Sequence, residues 1–222
     1  MARLQSVTIV VVLASIAGAA EEAKYQPVDL QPYANQKRGD SFGVDGQNNL
    51  AKLPAGDQKF GGVVLKIEPA IIHLGSSVLD TMPAKVEGIK VDSKCAKIHI
   101  LHATQFGGGP NREGTPWFVK DGTLVGEYRV NFEDKSALTI PIVYGQDVRD
   151  WFYVEGEATT ARSKIVWNEE NEFATSVGAK IRLYLTTWEN PKPDKTVVSI
   201  DYVGKKDETV AAPFCVAVSL EK

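Results

Sequence analysis

The chain has 222 residues, 43% of them hydrophobic and 24% charged, and its 25 Lys and Arg against 28 Asp and Glu leave a net charge of −3. A mildly acidic chain with dispersed lysines and no basic block argues against nucleic acid or an anionic membrane as the main partner. Two cysteines and three histidines, without short Cys spacings, argue against a zinc scaffold.

Residues 1–19 do not match the rest. Arg3 supplies a positive start, Val7–Ala17 (VTIVVVLASIA) an apolar stretch, and Ala17-Gly18-Ala19 a small-residue cleavage site. This is the pattern of a secretory signal peptide, with an apolar run short of the ~20 residues that span a bilayer. The expectation is an exported protein, periplasmic or extracellular, with no membrane insertion once the signal is cleaved. Cleavage would leave roughly 200 residues, enough for one large core. Residues 20–28 read as a flexible leader, and 29–222 as one domain.

Through that domain the apolar period is two. Gly62–Ile67, Ile71–Leu74, Lys85–Val91 and Lys97–Thr104 are strand candidates. His99 and His102 lie in one strand at odd separation, so they face opposite sides and do not chelate one metal together. His73, among Ile71, Ile72 and Leu74, reads as a satisfied strand residue. The segment Gln105–Trp117 (QFGGGPNREGTPW) is too rich in glycine and proline for regular structure and reads as a long loop. In Gly126–Asp134, Tyr128, Val130 and Phe132 share one face. Leu138–Tyr144 contains Pro141, which cannot donate to a ladder and so marks an edge strand or bulge. Glu155–Glu172 is a second, charge-rich excursion around Trp167. In Lys180–Trp188, Ile181, Leu183 and Leu185 point one way and Lys180, Arg182, Tyr184 and Thr186 the other. Val197–Val203 follows, then Phe214–Leu220, with Phe214, Val216, Val218 and Leu220 on one face and Cys215 on the other. Many short strands and frequent turns predict an all-β fold, a single antiparallel β-sandwich.

Eight motifs run in order from Val28 to the C-terminus: VDLQPYAN, LPAGDQKFGGVVLKI, KVEGIKV, KIHILHAT, VGEYRVNFED, IPIVYGQDVRDW, TTWENPKPDKTVVSIDYV and PFCVAVSLE. Together they resemble the galactose-binding-domain-like jelly-roll modules of exported bacterial proteins, often attached to glycoside hydrolases. The resemblance implies a jelly-roll topology and a carbohydrate ligand. A structural calcium held by loop oxygens is a further feature of some such modules, and Glu189, Asn190 and Asp194 are the oxygen-bearing residues of the corner in question; no D-x-D-x-D-G loop accompanies them. The functional expectation is a non-catalytic carbohydrate-binding module without a cofactor, partnered by a glycan. The alternative is a structural or interaction module that contacts an envelope protein.

Three places offer ligand-binding side chains. Tyr144–Tyr153 (YGQDVRDWFY) carries Asp147, Arg149, Asp150 and Trp151, which suit a sugar stacked on a ring with its hydroxyls fixed by charged groups. The structural alternative has Arg149 and Asp150 pairing or capping a turn while Trp151 fills the core. Trp117 follows the glycine-rich loop. Trp188, Glu189 and Asn190 open a proline corner, which reads first as a rigid turn and second as a binding rim. Catalytic patterns are missing: Gly75-Ser76-Ser77 lacks the spacing of a nucleophile elbow, and Gly107-Gly108-Gly109-Pro110 lacks the Lys-Ser/Thr of a phosphate loop. Export also permits one disulfide, Cys95 to Cys215, against the alternative of two half-buried free thiols.

Overall fold

Period-two hydrophobicity builds antiparallel sheets in this chain. The computed structural model describes residues 24–43, 47–108 and 117–222, so the segment read as a signal peptide, 1–19, lies outside the described residues. The strands are β1 (Tyr25–Pro27), β2 (Gln36–Lys37), β3 (Gly56–Phe60), β4 (Val63–Ile67), β5 (Ala70–His73), β6 (Lys85–Ser93), β7 (Lys97–Gln105), β8 (Leu124–Phe132), β9 (Ala137–Val143), β10 (Phe152–Tyr153), β11 (Lys164–Glu169), β12 (Lys180–Glu189), β13 (Val197–Gly204) and β14 (Ala212–Glu221). One short helix, α1 (Glu172–Ser176), starts at Asn171, whose side-chain oxygen accepts the Ala174 N–H as an N-cap should. No helix among the described residues is long and apolar enough to cross a membrane.

The larger sheet runs β10-β12-β7-β14-β5-β2, with β1 also paired to β14 and β11 to β12. A four-stranded sheet runs β6-β13-β8-β9, and β3 and β4 form a separate hairpin. Pro141 does lie in an edge strand, β9. Tyr128, Val130 and Phe132 of β8 are buried, as are Ile181, Leu183, Leu185, Phe214, Val216 and Val218 of the larger sheet. They belong to one continuous buried cluster that extends over both faces of the larger sheet of this all-β fold. At its centre Tyr128 stacks on Tyr202 with ring centroids 4.5 Å apart. The Tyr128 hydroxyl lies 3.3 Å from His102 Nδ1, and Thr186 Oγ1 lies 2.8 Å from His102 Nε2. His99, on the other face of β7, meets Thr187 and Glu221 instead. The two histidines therefore do point to opposite sides.

Several local expectations are overturned. Tyr25–Pro27 is no flexible leader, because it pairs with Ser219–Glu221 of β14, and Tyr25 packs edge-on against His99. β11 occupies part of the charge-rich excursion; a register shift between Ile165 and Trp167 breaks the alternation that would have announced it. The polar-looking face of β12 turns to a second layer rather than to water, the other of the two places open to it: Arg182, Tyr184 and Thr186 are all buried, because the larger sheet is covered on both sides. Phe42 packs against Phe214, and the turn at Gly61 sits against Leu185, so the face away from the small sheet is filled too.

β14 holds the largest surprise. Cys215 pairs with His102 and Ala217 with Leu101, so Val216 is an extra residue and the side-chain phase shifts by one there. Phe214 thus faces Phe42 and Trp151, whereas Cys215 lies between the sheets against Tyr128 and Tyr202. Burial pushes the Cys215 thiol up to about 12. The disulfide expectation fails with the same register. Both cysteines are free and buried. Cys215 pairs with His102, seven residues along β7 from the turn that holds Cys95, which is roughly 20 Å at strand rise. A disulfide needs Cα atoms within about 7 Å. His73 is not satisfied either. Its ring sits between Phe42 and Phe214, neither nitrogen makes a hydrogen bond of good geometry, and burial pushes it down to about 4, with the Ala212 backbone opposing only weakly.

Candidate functional site

The cavity of interest forms where β7 ends, β10 begins and α1 leads into β12. Gln105 closes β7, and the chain then turns sharply through Phe106, Gly107 and Gly108. A Cβ on Gly107 would come within 2.6 Å of the Tyr144 ring, and one on Gly108, where φ is +74°, within 2.4 Å of the Trp117 carbonyl. Only glycine fits at both. Phe106 itself sits at φ +61°, a left-handed conformation costly for a bulky residue. The strain is held in place by Asp150, whose Oδ2 accepts the Gly107 N–H at 2.7 Å and the Gly108 N–H at 3.1 Å. Asp150 Oδ1 accepts the Phe152 N–H at 3.0 Å. Burial pushes this carboxyl up to about 6, against the pull of those three N–H groups and of Arg182.

These constraints enclose a cavity of about 350 Å³. Its walls are aromatic: Phe42, Phe106, Trp117, Trp151, Phe152, Tyr153 and Phe173 all line it. Trp151 is fully buried as floor, 4.6 Å from Phe42 between ring centroids, while Trp117 is 41% exposed and tilted against Phe106 at 5.3 Å. Polar lining comes from Asn48, Gln105, Asp150 and Glu157. Most of it is already engaged. Glu157 Oε2 accepts from Arg182 at 2.6 Å, and the Arg182 guanidinium lies over the Tyr153 ring at 4.6 Å. Gln105 Nε2 donates to the Phe42 carbonyl at 2.6 Å, leaving its buried Oε1 without a partner.

Of the residues singled out by sequence, Trp117, Asp150 and Trp151 converge on this cavity, and the others do not. Asp147 is clamped by Arg162, through Oδ1 at 3.0 Å and Oδ2 at 2.5 Å, and also accepts the Val143 N–H. Arg149 donates to Asp121 at 2.6 Å. Both stabilise the turn between β9 and β10. Trp188, Glu189 and Asn190 close β12 at its far end, roughly 30 Å away at strand rise. There Asn190 Nδ2 donates to the Cys95 carbonyl at 2.8 Å, and Asn190 Oδ1 accepts the Lys192 N–H at 2.9 Å. Glu189 pairs with Lys97 at 3.1 Å and Trp188 packs on the core. That corner is a pinned turn. Among the described residues no group of three or more His, Cys, Asp or Glu is arranged to hold a metal ion.

Sequence reading missed Phe42, Gln105, Phe106, Phe152, Tyr153, Glu157 and Phe173. Phe152 and Tyr153 sit inside the quoted RDWFY stretch, and Phe106 adjoins the glycine run, so aromatic density beside glycine was the available signal. Phe42 and Phe173 come from distant segments that only the fold brings together. A separate chain of groups runs Thr187 Oγ1 to His99 Nδ1 at 2.8 Å and His99 Nε2 to Glu221 at 3.1 Å. It has the order of a carboxylate–imidazole–hydroxyl relay, but it sits towards the corner end of β12, away from the cavity. No family model matches the chain, and no curated protein matches it, so the functional reading rests on the site itself.

Proposed function

We propose that this protein is an exported, non-catalytic binding module that holds one small, largely apolar ligand in the aromatic cavity. The carrying observation is where its exposed hydrophobics gather. Seven large hydrophobic side chains are exposed among the described residues, and three of them, Trp117, Val154 and Val177, line this one hollow. Scattered surface hydrophobics are ordinary, whereas apolar side chains grouped around a concavity with a few polar groups are the usual make-up of a ligand site. Export rests on the signal-like pattern of residues 1–19.

The cavity volume suits a single ring system or a short branched chain rather than an oligomer. A pyranose needs a partner for each hydroxyl it buries, and here the lining carboxylates and amides are mostly consumed by their own framework. A sugar is therefore the second reading, supported by the open face of Trp117. A protein-interaction role would be better served by a flat apolar patch than by a hollow.

A saturation titration of the mature protein with the apolar fluorophore N-phenyl-1-naphthylamine tests the proposal, with a glycan array run in parallel. The expected result is one-site binding in about the micromolar range, weakened roughly tenfold by Trp117→Ala, as losing one aromatic wall should do. Retention of glycans without uptake of the fluorophore would favour the sugar. Absence of both fluorophore uptake and glycan retention would refute a ligand cavity.

A further inference from the structure

The charge around the cavity is one-sided. Among the described residues no Lys, Arg or His lines the cavity, and the ionisable carboxylates there are Asp150 and Glu157. One guanidinium, Arg182, serves both: it pairs with Glu157 at 2.6 Å, and its Nε donates to the Asp150 backbone carbonyl at 3.0 Å. The Asp150 carboxylate oxygens themselves meet only backbone N–H groups. Two carboxylates against one cation leave the wall a net negative charge. Around it stand aromatic rings whose π faces are also negative. Gln105, on the same wall, adds a buried Oε1 without a hydrogen-bond partner.

Resting on the ligand-cavity reading, we propose that the site selects an organic cation: a protonated amine whose apolar substituents pack on the rings. A neutral hydrocarbon would gain the same burial but neither the cation–π attraction nor the carboxylate field. An anion would meet repulsion from both walls. Arg182 does not reverse this, because its guanidinium is held beneath Tyr153 and turned to Glu157.

Competition against bound N-phenyl-1-naphthylamine at neutral pH separates the outcomes. The competitors are N,N-dimethyl-2-phenylethylamine, its uncharged isostere isopentylbenzene, and the anion 3-phenylpropionate. The ammonium should displace the fluorophore at about tenfold lower concentration than the hydrocarbon, the range expected of a desolvated cation–π contact, and the anion should displace it least. Glu157→Gln and Asp150→Asn each remove one negative charge, and each should bring the ammonium-to-hydrocarbon ratio towards one. Continued fluorophore binding by either variant would show that its cavity is intact. Equal displacement by ammonium and hydrocarbon, or stronger displacement by the anion, would overturn the cation preference and leave the cavity standing. Absence of fluorophore binding in the wild type would remove the apolar-ligand reading and the cation preference with it.

Discussion

Trp151 touches Phe42 and Phe214 with no exposure, whereas Trp117 keeps 41% of its surface open and meets only Phe106 among the described aromatic rings. Truncation should therefore separate them. Trp151→Ala empties a filled site and should cost about 3–5 kcal/mol in a denaturant melt, whereas Trp117→Ala should cost less than about 1 kcal/mol and lose ligand. Phe106→Gly is sharper still, since it relieves a left-handed backbone while deleting a cavity wall. Stability should change by less than about 1 kcal/mol as binding falls. The buried histidines make a second residue-level prediction. His73 and His102 are held neutral, pushed down to about 4 and about 3 by burial, while the unfolded chain protonates both below pH ~6.5. Between about pH 6.5 and 4 the unfolded state thus binds more protons, and stability falls on acidification. Asp150 works in the opposite sense: raised to about 6 when folded, it holds an extra proton across the same window and offsets one histidine. His99, also lowered, adds to the loss. His102→Asn should flatten the slope of unfolding free energy against pH, near pH 5, by about 1.4 kcal/mol per unit.

At the scale of the element, β14 shows why alternation could identify strands yet misassign faces. Tyr128, Val130 and Phe132 kept one phase because β8 pairs regularly along that stretch, and their burial was legible. Phe214 and Val218 share a parity in the sequence but lie on opposite faces, because Val216 is bulged and nothing in FCVAVSL marks it. On β12 alternation assigned the faces but left open what covers the polar one, and burial on both sides conceals Arg182 behind a polar appearance. Deletion variants test the bulge. Removing Val216 should preserve every pairing downstream and cost about 1.5–3 kcal/mol of lost burial. Removing Ser219, beyond the bulge, should move Glu221 into the buried position of Leu220 and cost several kcal/mol, the penalty of an unpaired buried charge. Comparable melting of the two variants would contradict the register.

For the whole molecule, a twice-covered sheet leaves its open concavity at one end, where β7, β10 and α1 meet. Composition and period sufficed for the fold class, because burying alternate residues in many short strands has few solutions. The candidate site was legible only in part. Trp117 and Asp150–Trp151 were visible as aromatic and charged residues near irregular chain, but Asp147, Arg149 and the Trp188–Asn190 corner look identical in sequence while serving turns. Convergence of distant segments separates the two kinds, and that is a property of the fold alone. Two-dimensional amide NMR of the protein, with and without saturating N,N-dimethyl-2-phenylethylamine, tests the central claim most directly. Shifts confined to Gln105–Gly108, Trp117, Asp150–Val154 and Phe173–Ala179 are expected. Shifts centred on Trp188–Asn190, or none at saturation of the fluorophore site, would contradict the assignment of the cavity as the ligand site.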